Sequence, residues 1–144
     1  MAKGTSRRRV LLVDPDERFG SLFRSYLERE GWDARWVGDG RAALADWPEF
    51  RPQIVVAELQ GDPLDGFEFI ERLRRLAPSL PIVLCTRLAG VQSWSDAVFA
   101  ALGVEAVLVR PVRFGQAAWT LEQVLEGLEG GTASLRMPIP DPRG

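Results

Sequence analysis

Asp14, Asp16, Glu58, Thr86 and Arg110 are the residues of this 144-residue chain whose types and places could do chemistry. Each stands at the end of a short aliphatic run: Val10 to Val13 precedes Asp14-Pro15-Asp16, Ile54 leads to Glu58, Ile82 to Cys85 precedes Thr86, and Ala106 to Val109 precedes Arg110-Pro111. If those runs are strands of one sheet, three carboxylates, a hydroxyl and a cation converge on one crevice. Histidine is absent, so the commonest general base and the commonest metal ligand are both missing, and any catalysis must use carboxylates. Polar residues at strand ends also meet water and cap helices, and Asp16 is a good N-cap in its own right.

The elements that must position these residues follow from hydrophobic periodicity. The β-branched runs alternate with segments whose apolar residues recur at helical spacing, which predicts five βα units around a parallel sheet. A helix from about Asp16 carries Phe19, Leu22, Phe23, Tyr26 and Leu27 as its inward stripe and ends at Gly31. A weaker strand over Ala34 to Val37, expected at the outside of the sheet, leads to a short helix with Ala43, Leu44 and Trp47 that stops near Pro48. After the Ile54 strand, a loop to Gly66 precedes a helix with Phe69, Ile70, Leu73 and Leu76 facing inward. The fourth strand, Ile82 to Cys85, is apolar throughout, as a strand covered on both faces is. A fourth helix over about 93–102, a fifth strand from Ala106 to Val109 and a last helix from Phe114 to about Leu128 complete the set. On the last helix Phe114, Ala118, Leu121, Leu125 and Leu128 form the inward stripe, and Trp119 falls beyond its edge beside Gln116, Glu122 and Gln123. In a doubly wound sheet ligands collect outside the carboxyl ends of the strands, where the polar residues stand.

Composition bounds the rest. A chain that is 46% hydrophobic can bury a core without disulfides or metal, and the lone Cys85 reads as a small buried hydrophobe. The net charge of −2 provides no field for nucleic acid or a membrane surface. No apolar run approaches the ~20 residues of a membrane span and no signal peptide is evident, so a cytoplasmic protein is expected. Residues 1–7 read as a flexible basic arm, residues 8–129 as the folded domain and residues 130–144 as a Gly/Pro-rich tail.

The ordered set of motifs resembles the receiver domain of response regulators in bacterial two-component signalling. Val10 to Glu17 looks like the family's first strand and acidic turn, and Gly31 to Gly40 with Arg41-Ala42-Ala43-Leu44 is similar to its second strand and helix. Pro52 to Phe67 matches with Glu58 at the acid and Asp65-Gly66 following, and Pro81 to Thr86 and Gly103 to Pro111 complete the pattern. The resemblance implies a flavodoxin-like doubly wound α/β sandwich with a five-stranded parallel sheet. It also implies a phosphoacceptor position at Glu58, an acidic pocket at Asp14 and Asp16, and switch positions at Thr86, Val107 and Arg110.

Several positions depart from the family, and the departures fall on the chemistry. Glu58 replaces the usual Asp; its extra methylene moves the carboxylate by about an ångström or more, a displacement that can cost ~10²-fold in rate. Pro15 stands where the second acid of the Mg²⁺-holding pair belongs, so no metal is expected beyond weak Mg²⁺ binding at Asp14, Asp16 and Glu58. Arg110 takes the place of a Lys, and its planar fork suits two-point pairing with a carboxylate. Val107 occupies the aromatic switch position and cannot swing as Tyr or Phe does. The expectation is a receiver variant that is not an enzyme, needs no cofactor and binds protein partners without being phosphorylated, its crevice fixed by a Glu58–Arg110 ion pair with Thr86 as a candidate hydrogen-bond partner.

Trp94 and Trp119 are the candidate interface residues, placed for a sensor kinase, a downstream effector or a homodimer through the fourth and fifth helices. No output domain is recognisable after residue 128, so action through another molecule, or membership of a larger protein, is expected. The rivals are a conventional receiver that takes phosphate in a phosphorelay and a haloacid dehalogenase-type phosphatase using Asp14 and Asp16. Against the phosphatase, no acidic pair ends the fifth strand and Arg18 stands where that family favours Thr. A flavodoxin would need a phosphate-cradling turn where Asp14-Pro15-Asp16-Glu17 repels phosphate.

Overall fold

The computed structural model describes residues 7–58, 66–87 and 100–129. Five parallel strands run in the order β2-β1-β3-β4-β5: β1 Arg9–Val13, β2 Asp33–Val37, β3 Ile54–Ala57, β4 Ile82–Arg87 and β5 Ala106–Arg110. The helices α1 Glu17–Arg29, α2 Gly40–Phe50, α3 Gly66–Leu76 and α4 Phe114–Glu129 pack on both faces, as the flavodoxin-like reading anticipates. Residues 100–102 are helical; the rest of the expected fourth helix, with Trp94, and the acid-flanking Asp65 lie outside the described residues.

Because side chains alternate along a strand, each strand splits between two cores. Val10, Leu12, Ile54, Val56, Val83, Cys85, Ala106 and Leu108 face α1 and α4, where Phe23, Leu27, Ala117 and Leu121 cover them. Leu11, Val13, Val55, Ala57, Ile82, Leu84 and Val107 face α2 and α3, beneath Ala43, Phe50, Phe69, Ile70 and Leu73. The weak second strand is indeed at the edge, and β1 is where the strand order reverses. The crevice of such a sheet opens beyond β1 and β3, where Asp14 and Glu58 emerge.

The periodicity argument holds along α1: Asp16 caps it, its side chain accepting the Phe19 N–H, and Gly31 leaves the helix end with φ 98°. Several boundaries and faces differ from the sequence reading. α2 continues through Pro48 to Phe50, because Pro48 sits in the last turn and the buried Phe50 anchors the end, closed by Arg51 in a left-handed conformation. β4 runs two residues further, through Thr86 and Arg87, because these pair with Val109 and Arg110 of β5. Leu76, expected inside, is exposed at the last turn of α3, and so is Leu22 on α1. Gln116, read as an outer neighbour of Trp119, is buried along with Thr120, whose hydroxyl donates to the Gln116 carbonyl at 3.0 Å, while Trp119 is exposed as expected.

At the amino-terminal end of the sheet Arg74 ties α3 to the entrances of β4 and β5. Its guanidinium donates to the Leu80 carbonyl and, at 2.6 Å, to the Gly103 carbonyl, and stands 3.7 Å from Glu105. Glu105 in turn accepts the Ile82 N–H at 2.8 Å, so one carboxylate registers both strands.

Candidate functional site

Asp14 leaves β1 with its backbone held from two sides. Its N–H donates to the Val37 carbonyl at 3.0 Å, and its own carbonyl accepts the Trp36 indole N–H at 3.0 Å. Trp36 can reach it because Gly20 of α1 leaves room: a Cβ at Gly20 would lie 2.2 Å from the indole. The Asp14 carboxylate, only 4% exposed as a residue, accepts the Asp16 N–H at 2.8 Å on Oδ1 and meets the Arg110 guanidinium through Oδ2.

This pairing corrects the expectation that Arg110 turns to Glu58. The parity of β5 explains it. Arg110 follows Ala106 and Leu108 toward the α1 face, and there its guanidinium lies 3.7 Å over the ring of Phe19, in the first turn of the helix that Asp14 precedes. Stacking on that ring, a favourable contact for a planar cation, carries the fork past β3 to the end of β1. The fit is incomplete: Arg110 Nη2 meets Asp14 as an ion pair without hydrogen-bond alignment, and buried Nε has no hydrogen-bond partner among the described residues. Burial lowers the guanidinium to about 10.

Glu58 is buried one residue past β3, its N–H donating to the Val13 carbonyl at 2.8 Å. Thr86 is buried near the end of β4 and Val107 is fully inside the α2/α3 core. The structure therefore brings Asp14, Glu58, Thr86 and Arg110 to one end of the sheet, with Asp16 exposed at the rim capping α1. Cys85 is buried as expected; burial first, and the Glu58 charge second, push its thiol up to about 12.

Among the described side chains, the Asp14 and Asp16 oxygens are largely committed to protein partners and not to a divalent cation. Asp14 spends one oxygen on Asp16 N–H and the other on a guanidinium, and Pro15 offers no side-chain ligand. Asp16 Oδ1 is turned to the Phe19 N–H at 3.1 Å. Among the described residues no group of three acidic, Cys or His side chains is arranged to hold a metal.

Residues that the sequence reading left among the core or unremarked, Phe19, Gly20, Trp36 and Arg87, prove to shape the site. Phe19 carries helical periodicity like any core residue, so its role under Arg110 has no sequence signal. Gly20 does carry one: a glycine in mid-helix is costly unless something approaches closely.

Relatives and solved structures agree with this architecture. A probable transcriptional regulatory protein of Mycobacterium tuberculosis, TcrX, is 30% identical over 109 residues, covering 70% of this chain and 47% of its own. The DNA-binding response regulator MtrA of Mycolicibacterium smegmatis is 32% identical over 102 residues, 71% of this chain and 42% of its own. The chain thus spans less than half the length of these curated relatives. In fold it is similar to the chemotaxis protein CheY4 of Vibrio cholerae, with TM-score 0.75, 24% identity and 83% and 99% of the two chains covered. It is also similar to a CheY-like receiver domain protein of Methanospirillum hungatei, with TM-score 0.79, 20% identity and 88% and 99% covered. No described helix is long and apolar enough to cross a membrane. Residues 10–118 match the response regulator receiver domain, and the chain belongs to that family of two-component signalling modules.

Proposed function

We propose that this receiver acts as a phosphorylation-independent interaction module, non-enzymatic and without a cofactor, whose crevice is held by its own charges. The observation that carries the reading is the Arg110–Asp14 pair stacked on Phe19. It places a cation inside the acidic crevice and occupies the carboxylate that a metal would need. Glu58 and Pro15 add to this: one carries the acid too far out for an Asp-tuned reaction, and the other removes a ligand. Recognition then falls to the surface, to protein partners such as a sensor kinase, a downstream effector or a second copy, with exposed Trp119 as the described aromatic anchor.

Incubation with acetyl phosphate and Mg²⁺, followed by intact-mass measurement, and titration with beryllofluoride read by tryptophan fluorescence, test this directly. No adduct and no fluorescence response are expected. A stoichiometric phosphoryl adduct that disappears in Glu58→Gln or Asp14→Asn would overturn the reading in favour of a working phosphorelay receiver.

A further inference from the structure

Between the first turn of α1 and the β5–α4 connection lies an open cavity of about 460 Å³, walled by Phe19, Val112 and Phe114 and edged by Arg87, Arg110 and Asp16. Its size is within the range of small-molecule sites, which are mostly apolar with a few placed polar groups. The apolar wall is firm. Phe114 stacks on Phe23 with centroids 5.1 Å apart and meets Phe19 edge-on at 5.8 Å, so both rings are fixed by the core behind them.

The polar edge is out of balance. Arg87 and Arg110 are register partners on β4 and β5 and share strand parity with Cys85 and Leu108, on the α1/α4 side. Like charges directly opposite on neighbouring strands disfavour the pairing unless something answers them. Arg110 has Asp14; exposed Arg87 has no ion pair among the described residues. Arg110 is itself 90% buried as a side chain, lines the cavity, and keeps a buried Nε donor with no acceptor among the described residues. A buried donor without an acceptor is a standing cost, so Asp14 alone leaves this guanidinium incompletely answered. Asp16, also on the rim, accepts the Phe19 N–H on Oδ1 and forms no ion pair with either arginine among the described residues.

We propose that this cavity is a binding site for a small organic acid with a flat apolar body, its carboxylate answering exposed Arg87 and the positive charge of Arg110 beside it and its rings resting on Phe19, Val112 and Phe114. Inorganic phosphate is the poorer fit, because three apolar side chains leave its remaining oxygens without donors. The ligand would add a second anionic partner to the cation that Asp14 already holds, and so would strengthen the closed crevice. The site does not involve Glu58, and the inference stands or falls apart from whether Glu58 takes a phosphoryl group.

Naphthoate, its neutral analogue naphthamide and inorganic phosphate are the probes, added to the full chain without Mg²⁺ or phosphodonor and followed by amide and side-chain NMR shifts. Saturable naphthoate binding near about 1 mM or tighter is expected for a ligand of this size. The shifts should be confined to Phe19, Arg87, Arg110, Val112 and Phe114, and naphthamide should bind about tenfold more weakly. Arg87→Gln, an exposed change that leaves the core intact, should weaken naphthoate about tenfold without lowering melting, since it relieves the like-charge pair with Arg110, and Val112→Phe should reduce binding by filling the wall. Equal binding of acid and amide, shifts centred on exposed Trp119 or Leu22, tighter binding of phosphate than of naphthoate, or no saturation would each overturn the proposal.

Discussion

Arg74 and Arg110 are chemically identical side chains placed at opposite ends of one sheet, and the protein treats them differently. Arg74 is answered by two backbone carbonyls and approached by Glu105, which itself binds a strand N–H, so every contact it makes is also a contact that fixes β4, β5 or α3. Arg110 is more deeply buried, yet it has one carboxylate, one aromatic face and an unanswered Nε. Fully satisfied buried networks rigidify a fold, whereas a buried donor left without an acceptor carries its desolvation cost. The amino-terminal end of the sheet is built as a fixture. The carboxyl-terminal end keeps binding capacity in hand.

The sharpest way to break this comparison is to remove each guanidinium while keeping its stem. Arg74→Met should cost about 3 kcal/mol, from two charge-assisted hydrogen bonds lost at part-buried carbonyls and a carboxylate left beside them; urea denaturation measures it. Arg110→Met should cost less, about 1–2 kcal/mol, because the removed group was itself penalised by burial and the Asp14 carboxylate keeps the Asp16 N–H as a partner. The sign follows from its lowered value: the charged guanidinium is disfavoured by folding at every pH below about 10, a penalty that lifts only as pH rises from 10 toward the ordinary 12.5. What remains is the cost of Asp14 left without its cation, so Asp14→Asn/Arg110→Met should recover roughly half of the loss in a double-mutant cycle. An Arg110→Met protein less stable than Arg74→Met would reverse the comparison and make the crevice the structural end.

The contrast also marks what was legible before any coordinates. Strand and helix positions were, because periods of 2 and 3.6 are written residue by residue, and so was the gathering of Asp14, Glu58, Thr86 and Arg110, which needs only a parallel sheet with those residues at its strand ends. The partner of Arg110 was not. A long cation chooses among acids by which face its strand presents and by what ring lies on the way, and Phe19 reads in the sequence as one more core residue. The extension of β4 to Arg87 was missed for a related reason. Thr86 and Arg87 look like the start of a loop until their pairing with Val109 and Arg110 is seen, and that pairing is what sets two arginines side by side over the cavity. The end of α2 was misjudged because Pro48 was weighed as a stop signal, while the buried Phe50 two residues later outweighs one missing hydrogen bond.

The smallest expected effect probes how far the fixed part of the fold reaches into the crevice. Gly20→Ala places a methyl where the Trp36 indole now lies, at 2.2 Å from its nearest atom, so the ring must shift and with it the N–H that holds the Asp14 carbonyl. Overpacking of this kind costs about 1–3 kcal/mol, and alanine's better helix propensity returns about 1 kcal/mol of it. A net loss near 1 kcal/mol is therefore expected from urea denaturation, together with a changed Trp fluorescence spectrum. Trp36→Phe separates the two contributions, since it removes the N–H while shrinking the ring. If Gly20→Ala also weakens naphthoate binding, Trp36 positions Asp14 for Arg110 and the cavity depends on that chain. If binding is unchanged while stability falls, the Trp36 contact belongs with Arg74 among the fixtures, and the crevice is governed from the Phe19 side alone.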